Sequence, residues 1–154
     1  MSEFETYFVC ESDNAEWRQL FQGYAKFYKT ELTDEIADNV WKWLLDSGHV
    51  LEGLIVRDRG RTALGFLHFR SCPRPLSGCD MGFADDMFIA PHARGSGAAD
   101  ALFERLGTIA EERNWPVVRW VTQHYNERGR GLYDRYTAGP SDFIMYQWHP
   151  NTAG

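Results

Sequence analysis

The stretch APHARGSGAADALFERL, from Ala90 to Leu106, constrains the fold most, because it changes from strand-like to helix-like through small residues. Residues 95–99 carry almost no side chain, so a ligand can approach their backbone closely. The helix that follows, roughly Gly97–Arg113, offers its first backbone amides and the positive end of its dipole. Arg94 and Arg105 can supply a cation to a phosphate. The pattern predicts either a site for a nucleotide or coenzyme diphosphate, or a tight turn whose small residues serve packing.

Two common phosphate-binding motifs do not match this stretch. A P-loop needs GxxxxGK[ST], and no lysine stands at the required place. A dinucleotide fingerprint needs GxGxxG after an early strand, which RGSGAAD fits poorly. The histidines show neither HExxH nor another paired-ligand spacing, so no metal site is predicted.

Hydrophobic periodicity along the rest of the chain predicts an α+β fold. The predicted strands are FETYFVC (Phe4–Cys10), two runs in HVLEGLIVRDRGRTALGFLHFRS around a turn at Gly60, CDMGFADDMFIA (Cys79–Ala90), VVRWVT and DFIMYQWH. The predicted helices are NAEWRQLFQGYAKFYK, LTDEIADNVWKWLLDSG, the helix from Gly97, and ERGRGLYDRY. Ser12, Asp13 or Asn14 can cap the first helix, and Thr33 begins the second. An antiparallel hairpin followed by a strand–helix–strand crossover indicates a mixed sheet.

Composition sets broader limits on the chain. Its 154 residues, 44% hydrophobic and 25% charged, suit one globular domain, and no apolar run reaches the roughly 20 residues of a membrane helix. The acidic start MSEFETYFVCESDN does not resemble a secretion signal, and three cysteines without a CxxC pair indicate a reducing compartment. We therefore expect a cytoplasmic protein. A net charge of −6 argues against a nucleic-acid surface.

Three segments resemble motifs of the GNAT superfamily of N-acetyltransferases. Arg94–Ala99 resembles its acyl-coenzyme A signature R/Q-x-x-G-x-G/A, and ADDMFIAP is similar to its fourth strand. In VVRWVTQHYNERGRGLYDRY, four residues match its N-x-x-A-x-x-Φ-Y stretch, namely Asn126, Gly129, Leu132 and Tyr133. The three motifs stand in the family's order. The run from RWVTQ to FIMY is most similar to the histone/polyamine N-acetyltransferase branch, with spermidine/spermine acetyltransferases more distant.

The resemblance implies a fold and an activity. The fold is a mixed, mostly antiparallel, twisted sheet of about six to seven strands flanked by about four helices, in one domain over residues 1–154. The activity is transfer of an acetyl group from acetyl-CoA to the primary amine of a small molecule, such as a polyamine or amino acid, by direct attack in a ternary complex. The branch also implies a homodimer. The alternatives are a non-catalytic acyl-CoA-binding regulatory module and an acetyltransferase for protein or peptide amines.

The resemblance also implies which residues form the site. Those expected to hold the coenzyme are Met87, Phe88, Ile89, Arg94, Gly95, Ser96, Gly97, Ala98, Ala99, Asp100 and Asn126. Tyr133 is the expected acid, since a phenol with a pKa of about 10 can protonate a departing thiolate. Those expected near the acceptor are Tyr24, Tyr28, Glu31 and His124. The alternative for Tyr24, Tyr28 and Glu31 is that they are ordinary helix-face residues.

The base is expected to be a carboxylate or a water chain, because a primary amine is mostly protonated at neutral pH and must lose a proton. The resemblance implies Asp85 as the base, because it aligns with an acidic substrate-side residue of spermidine/spermine acetyltransferases. Asp86 is the second candidate. As neighbours on a strand, the two are expected to point to opposite faces of the sheet. His68 either lines the acceptor site or is a satisfied strand histidine.

Overall fold

The structure is a computed structural model, and it describes residues 3–151. Residues 1–2 and 152–154 of the predicted domain lie outside this range. The strands are β1 (Phe4–Phe8), β2 (Leu51–Asp58), β3 (Ala63–Arg74), β4 (Cys79–Ile89) and β5 (Val118–Arg119). The α-helices are α1 (Asn14–Phe27), α2 (Asp34–Leu45), α3 (Ala98–Glu112) and α4 (Glu127–Tyr136).

The five strands form one sheet in the order β1-β2-β3-β4-β5. The first four strands pair antiparallel with their neighbours, and β5 pairs parallel to β4. The parallel pairing follows from the crossover through α3, because a strand that returns by a helix runs in the same direction as the strand before it. The predicted mixed, mostly antiparallel sheet is confirmed.

Helices cover both faces of this sheet. On one face, α3 buries Leu102, Leu106 and Ile109 against Leu54 and Val56 of β2. On the other face, α1 and α2 pack an aromatic cluster against the sheet, made of Trp17, Trp41, Ile55, Phe66 and Phe88. Successive residues of β2 therefore enter different cores, which explains why the run LIV is buried throughout rather than alternating with polar residues.

The start of α1 differs from the prediction. Asp13 is its N-cap but makes no side-chain cap hydrogen bond. Its carboxylate instead accepts from Arg57 at 2.8 Å, and both residues are buried. A buried guanidinium needs a paired carboxylate more than a helix terminus needs a cap, because an uncompensated buried charge costs more. Thr33 does cap α2, accepting from the Ile36 amide at 3.2 Å.

The sheet is smaller than the predicted six to seven strands. Of VVRWVT, only Val118 and Arg119 form a strand, and they pair with Gly82 and Phe83 of β4. The predicted last strand DFIMYQWH forms no strand in the described chain, although its composition favours one. Strand composition alone is not sufficient, since a strand also needs a neighbour with which to pair.

The chain divides into two compact units, Met1–Trp120 and Val121–Gly154. The first contains the sheet, α1, α2 and α3, and the second contains α4 and the segment after it. None of the described helices has the length and apolar content that crossing a membrane requires.

Candidate active site

The turn between β4 and α3 has the backbone of an anion site. Gly95 and Gly97 have φ of 79° and 102°, in the left-handed region that favours glycine. Gly97 is the N-cap of α3 and has no side chain to accept from the amides that follow. The Ser96 hydroxyl accepts only weakly from the Ala98 amide, at 3.4 Å. An anion can therefore bind the first turn of α3 without displacing a strong cap.

Arg94, at the head of the turn, is held against β4 and α1. Its Nε donates to the Ile89 carbonyl at 3.2 Å. Its guanidinium carbon lies 5.5 Å from the ring centre of Phe88 and 5.9 Å from that of Phe27. The side chain thus ties the end of β4 to the turn. Arg105 lies over the ring of Phe8, and its Nε is buried without a hydrogen-bond partner.

The edge of β4 that faces β5 is mostly unpaired. β5 pairs only with Gly82 and Phe83, whereas β4 continues to Ile89 along β3. In the part of the chain that the structure describes, no strand pairs with this edge at Met87, Phe88 or Ile89. Their main-chain groups on that side can therefore bond to a ligand lying along the strand.

A β-bulge in β4 lies next to this open edge. His68 of β3 is opposite Asp86, and Phe69 is opposite Ala84, so Asp85 is the extra residue. Asp86 bonds to His68, and Asp85 bonds to Arg70. His68 and Arg70 are two residues apart on β3 and share one face of the sheet.

The bulge therefore brings both carboxylates to the same face, and the expectation that they point to opposite faces was wrong. Simple alternation fails here because the bulge adds one residue to β4 alone.

Asp85 forms an ion pair that is open to solvent. Arg70 Nε donates to its two carboxylate oxygens at 3.0 and 3.2 Å. Burial raises the pKa of Asp85, and the charge of Asp86 raises it further, while Arg70 opposes both. The net pKa lies above its usual value. Such a carboxylate accepts a proton more readily than an ordinary aspartate.

Asp86 has the opposite pKa direction. Burial alone would raise the pKa of Asp86, but its hydrogen bond and electrostatic interaction with His68, together with a hydrogen bond from Tyr24, outweigh burial and hold the pKa below its usual value. The His68 Nδ1 atom lies 2.9 Å from Asp86 Oδ2, and His68 itself is fully buried. The interpretation of His68 as a satisfied strand histidine is consistent with this burial.

The predicted acceptor residues of the first unit lie at the end of α1 and after it. Tyr24 and Tyr28 are half-buried, with ring centres 4.9 Å apart, and Tyr24 contacts Asp86 through its hydroxyl. Glu31 is exposed in the connection between α1 and α2. The structure thus brings Tyr24 to Asp86 and Tyr28 to Tyr24, and leaves Glu31 on the surface.

The remaining predicted residues, His124, Asn126 and Tyr133, belong to the second unit. Asn126 caps α4: its side-chain oxygen accepts from the Gly129 amide at 3.2 Å, and its Nδ2 donates to Thr122 at 3.0 Å. Tyr133 is half-buried on α4, and His124 is exposed. Both polar groups of the Asn126 side chain are therefore engaged in holding the start of the helix.

Sequence reasoning missed the roles of Arg70 and Trp17. Arg70 pairs with Asp85 at the bulge, and no local sequence pattern predicts a bulge at this position. Trp17 donates its indole N–H to His68 Nε2 at 2.9 Å, across 51 positions of sequence. Its helical spacing predicted burial alone. A buried histidine without a partner nearby in sequence was the signal that could have prompted a search for this bond.

Comparison with known sequences decides the family. The sequence model of the acetyltransferase (GNAT) family matches residues 9–137. The chain belongs to the GNAT family. As a member, it is an acetyl-CoA-dependent N-acetyltransferase, and acetyl-CoA is its co-substrate.

Relatives and solved structures agree with this assignment. The chain is 29% identical over 136 residues to the D-amino-acid N-acetyltransferase HPA3 of Saccharomyces cerevisiae, covering 88% of this chain and 84% of the relative. The ribosomal-protein-alanine N-acetyltransferase of Brucella melitensis biovar Abortus 2308 superposes with a TM-score of 0.79 at 26% identity, covering 96% and 99% of the two chains. The aminoglycoside N-acetyltransferase AAC(6')-Iy, solved in complex with CoA, shares the fold with a TM-score of 0.81 at 15% identity, covering 97% of each chain.

The residues of this GNAT chain fit a coenzyme of this kind. The left-handed Gly95 and Gly97 leave the backbone of the turn accessible, and the first turn of α3 has no strong side-chain cap. The open edge of β4 at residues 87–89 offers amides and carbonyls to an amide-rich arm. Acetyl-CoA supplies the activated acetyl group, and the chain supplies the groups that bind and orient it.

Proposed function

We propose that this GNAT enzyme acetylates the primary amine of a small molecule, an amino acid or a polyamine, within the histone/polyamine branch. The observation that carries the proposal is the bulge at Asp85, which places two carboxylates on one face of β4 beside the segment assigned to the coenzyme. Carboxylates are suited both to bind an ammonium group and to accept its proton.

Amino acids are the first acceptor class to test. The relative HPA3 is named a D-amino-acid N-acetyltransferase, and the match covers most of both chains. Tyr24 bonds to Asp86, and the ring centre of Tyr28 lies 4.9 Å from that of Tyr24, so two aromatic rings follow one another away from an anion. Such a pair of rings suits an ammonium group attached to a short apolar carbon chain. Glu31 and His124 complete the set of residues that we assign to acceptor binding.

We assign coenzyme binding to the turn and the open edge of β4. The backbone of Gly95–Asp100 holds the pyrophosphate, Arg94 positions the turn, and the main chain of Met87, Phe88 and Ile89 binds the pantetheine arm. Asn126 is assigned to the same arm by its place in the family motif. The φ angles of the glycines and the unpaired strand edge support this assignment.

Two residues are proposed to move protons. The amine nitrogen attacks the thioester carbonyl carbon, so that a C–N bond forms and the C–S bond breaks. Asp85 accepts the proton that the ammonium group loses to become the attacking amine, and its raised pKa supports this role. Tyr133 donates its phenol proton to the departing thiolate, a role that rests on its place in the family motif. The second proton, lost from nitrogen as the C–N bond forms, replaces the one that Tyr133 gives to the thiolate.

A peptide amine is the second candidate acceptor. The ribosomal-protein-alanine N-acetyltransferase, at 26% identity, is named for the amine of a protein substrate. An α-amine on a peptide and one on a free amino acid present the same attacking nitrogen. The substituent on the carboxyl side is the chemical difference that a panel must test.

The test is coenzyme A thiol release from acetyl-CoA across D- and L-amino acids, polyamines, an aminoglycoside and an alanine-initiated peptide. Wild type is compared with Tyr133→Phe and Asp85→Asn. We expect turnover with one acceptor class and a loss of about 100-fold in kcat for each variant. Turnover at the wild-type rate in both variants would refute the two proton-transfer roles. Binding of acetyl-CoA without turnover on any acceptor would favour the non-catalytic regulatory module.

We further propose one cytoplasmic domain over residues 1–154 that forms a homodimer. The match to the family spans both compact units, which supports a single domain. The exposed apolar side chains after α4 are Phe143, Ile144, Met145, Tyr146 and Trp148. A second copy of the chain is the partner that would cover them. Light scattering should give twice the mass of one chain, and a monomer at micromolar concentration would contradict the dimer.

A further inference from the structure

A buried chain of hydrogen bonds ends on one of the two carboxylates. Trp17 Nε1 lies 2.9 Å from His68 Nε2, and His68 Nδ1 lies 2.9 Å from Asp86 Oδ2. Trp17 and His68 are fully buried, whereas the Asp86 side chain is 27% exposed. These hydrogen bonds therefore connect the core between α1 and the sheet to a carboxylate that solutes can reach.

The direction of these hydrogen bonds fixes the state of His68. An indole N–H can only donate, so His68 Nε2 must accept and carries no proton. The remaining ring proton lies on Nδ1 and is donated to Asp86. A second proton on Nε2 would place two donors against each other in a buried site. Trp17 thus holds the imidazole in its neutral Nδ1–H form.

Because His68 is neutral, Asp85 and Asp86 differ in whether a positive side chain balances their charge. The charge of Asp85 is balanced by Arg70, at 3.0 Å. Asp86 accepts hydrogen bonds from His68 and Tyr24. With His68 held in its neutral form by Trp17, no positive side chain balances Asp86, because no lysine or arginine lies within ion-pair distance of it among residues 3–151. The groups that face Asp86 are therefore Tyr24 from α1, His68 and the Arg70–Asp85 pair from β3 and β4. Asp86 keeps a negative charge that no side chain neutralises.

We propose that Asp86 is the anchor for the ammonium group of the acceptor, and that Trp17 and His68 are positioning residues that keep its charge unbalanced. The inference rests on the proposed function and adds a division of labour to it. Asp86 binds the charged amine, and Asp85 takes its proton. Trp17 acts by preventing a positive charge on His68, which would compete with the ammonium group.

The test is binding of n-butylammonium to the full-length protein, with butanol as a neutral probe of the same shape. Protein labelled with ¹⁵N-histidine reports the ring protons of His68 through two-bond correlations at neutral pH. We expect the proton on Nδ1, a shift of the His68 signals on addition of n-butylammonium, and none with butanol. In Asp86→Asn the response to the cation should disappear.

Trp17→Phe is the decisive variant, and Trp41→Phe is its matched control. Trp41 is a buried tryptophan whose ring centre lies 4.9 Å from that of Trp17, and within residues 3–151 no hydrogen bond or ring contact joins it to His68. We expect Trp17→Phe to allow a second proton on His68 and to weaken n-butylammonium binding about tenfold, because a positive charge on His68 would then compete with the cation for Asp86. Trp41→Phe should leave both readouts as in wild type.

Several results would overturn the inference. These are a His68 proton on Nε2 in wild type, equal responses to the cation and to butanol, or equal weakening in the two tryptophan variants. The titration needs neither acetyl-CoA nor turnover. A failure of the acetyltransfer assay therefore refutes the proposed function alone, and a failure of the titration refutes the anchor alone.

Discussion

Asp85 and Asp86 show how two identical side chains acquire different chemistry from their neighbours. The pKa of Asp85 is raised, because burial and the charge of Asp86 together exceed the effect of Arg70. The pKa of Asp86 is lowered, because its hydrogen bond and electrostatic interaction with His68, together with a hydrogen bond from Tyr24, exceed the effect of burial. A pair of acids with separated pKa values can divide the binding and the deprotonation of one amine between them.

The buried pair of Arg57 and Asp13 gives a prediction for stability at the same scale. Asp13→Asn leaves the buried guanidinium of Arg57 with the half-exposed Glu16 as its remaining carboxylate partner, and we expect a loss of about 2 to 3 kcal/mol in the free energy of unfolding at pH 7. Glu5→Gln is the control, because its pair with Arg61 is exposed on both sides and should contribute less than about 1 kcal/mol. Urea denaturation measures both losses, and equal losses would contradict the assignment.

The same pair predicts how stability depends on pH. Burial alone would raise the pKa of Asp13, but hydrogen bonds from the Cys10 amide and Arg57 outweigh it, so the folded pKa lies below the unfolded value. A lowered pKa contributes stability above the unfolded value, about 3.9, and that contribution is lost as the pH falls through the folded value. The difference between wild type and Asp13→Asn should stay constant down to about pH 5 and shrink below about pH 4.

At the scale of elements, the start of α4 explains a departure from the family motif. Gly129 stands where the motif has alanine, and a Cβ there would lie 2.4 Å from Asn126 Nδ2. The Asn126 side chain occupies this space and caps the helix by accepting a hydrogen bond from the Gly129 amide. Gly131 has no atom within 4 Å of the place where its Cβ would be. The two glycines of one helix are therefore not equivalent.

This difference is testable with one substitution at each position. Gly131→Ala should increase the free energy of unfolding by about 0.5 to 1 kcal/mol, because alanine loses less backbone entropy in a helix. Gly129→Ala has the same favourable effect on backbone entropy, but it displaces the Asn126 cap, which costs about 1 kcal/mol. We therefore expect no net increase in the free energy of unfolding for this variant. Equal stabilisation by both substitutions in thermal or urea unfolding would contradict the capping role of Asn126.

Elements defined by local signals were predictable, and those defined by distant partners were not. Helix α4 was predicted with the observed bounds, and α3 was predicted within one residue at each end, because small or capping residues mark their starts. The bulge at Asp85 depends on the register of β4 against β3. DFIMYQWH has a strand composition but forms no strand in the described chain, and nothing within the segment reveals that.

At the scale of the whole molecule, helices on both faces of the sheet fix the segments assigned to the site. Helix α3 packs against β1 and β2. The aromatic cluster packs α1 and α2 against β3 and β4 through Phe66 and Phe88, and these are the strands that carry the carboxylates and their partners. The turn between β4 and α3 and the family motifs could be predicted from the sequence, because the residues of each are contiguous. The partners of the carboxylates, Arg70 and His68, come from another strand and required the fold.

The most direct test of the account is calorimetric titration of acetyl-CoA into wild type, Gly97→Val and Gly107→Ala. Gly97 has φ of 102° and its Cβ would lie 3.3 Å from Phe4, so valine strains the turn that we assign to the pyrophosphate. Gly107 lies in α3 with open space around its Cβ position. We predict at least about tenfold weaker binding in Gly97→Val and wild-type affinity in Gly107→Ala. Wild-type affinity in Gly97→Val, or no binding in wild type, would contradict the coenzyme site at this turn.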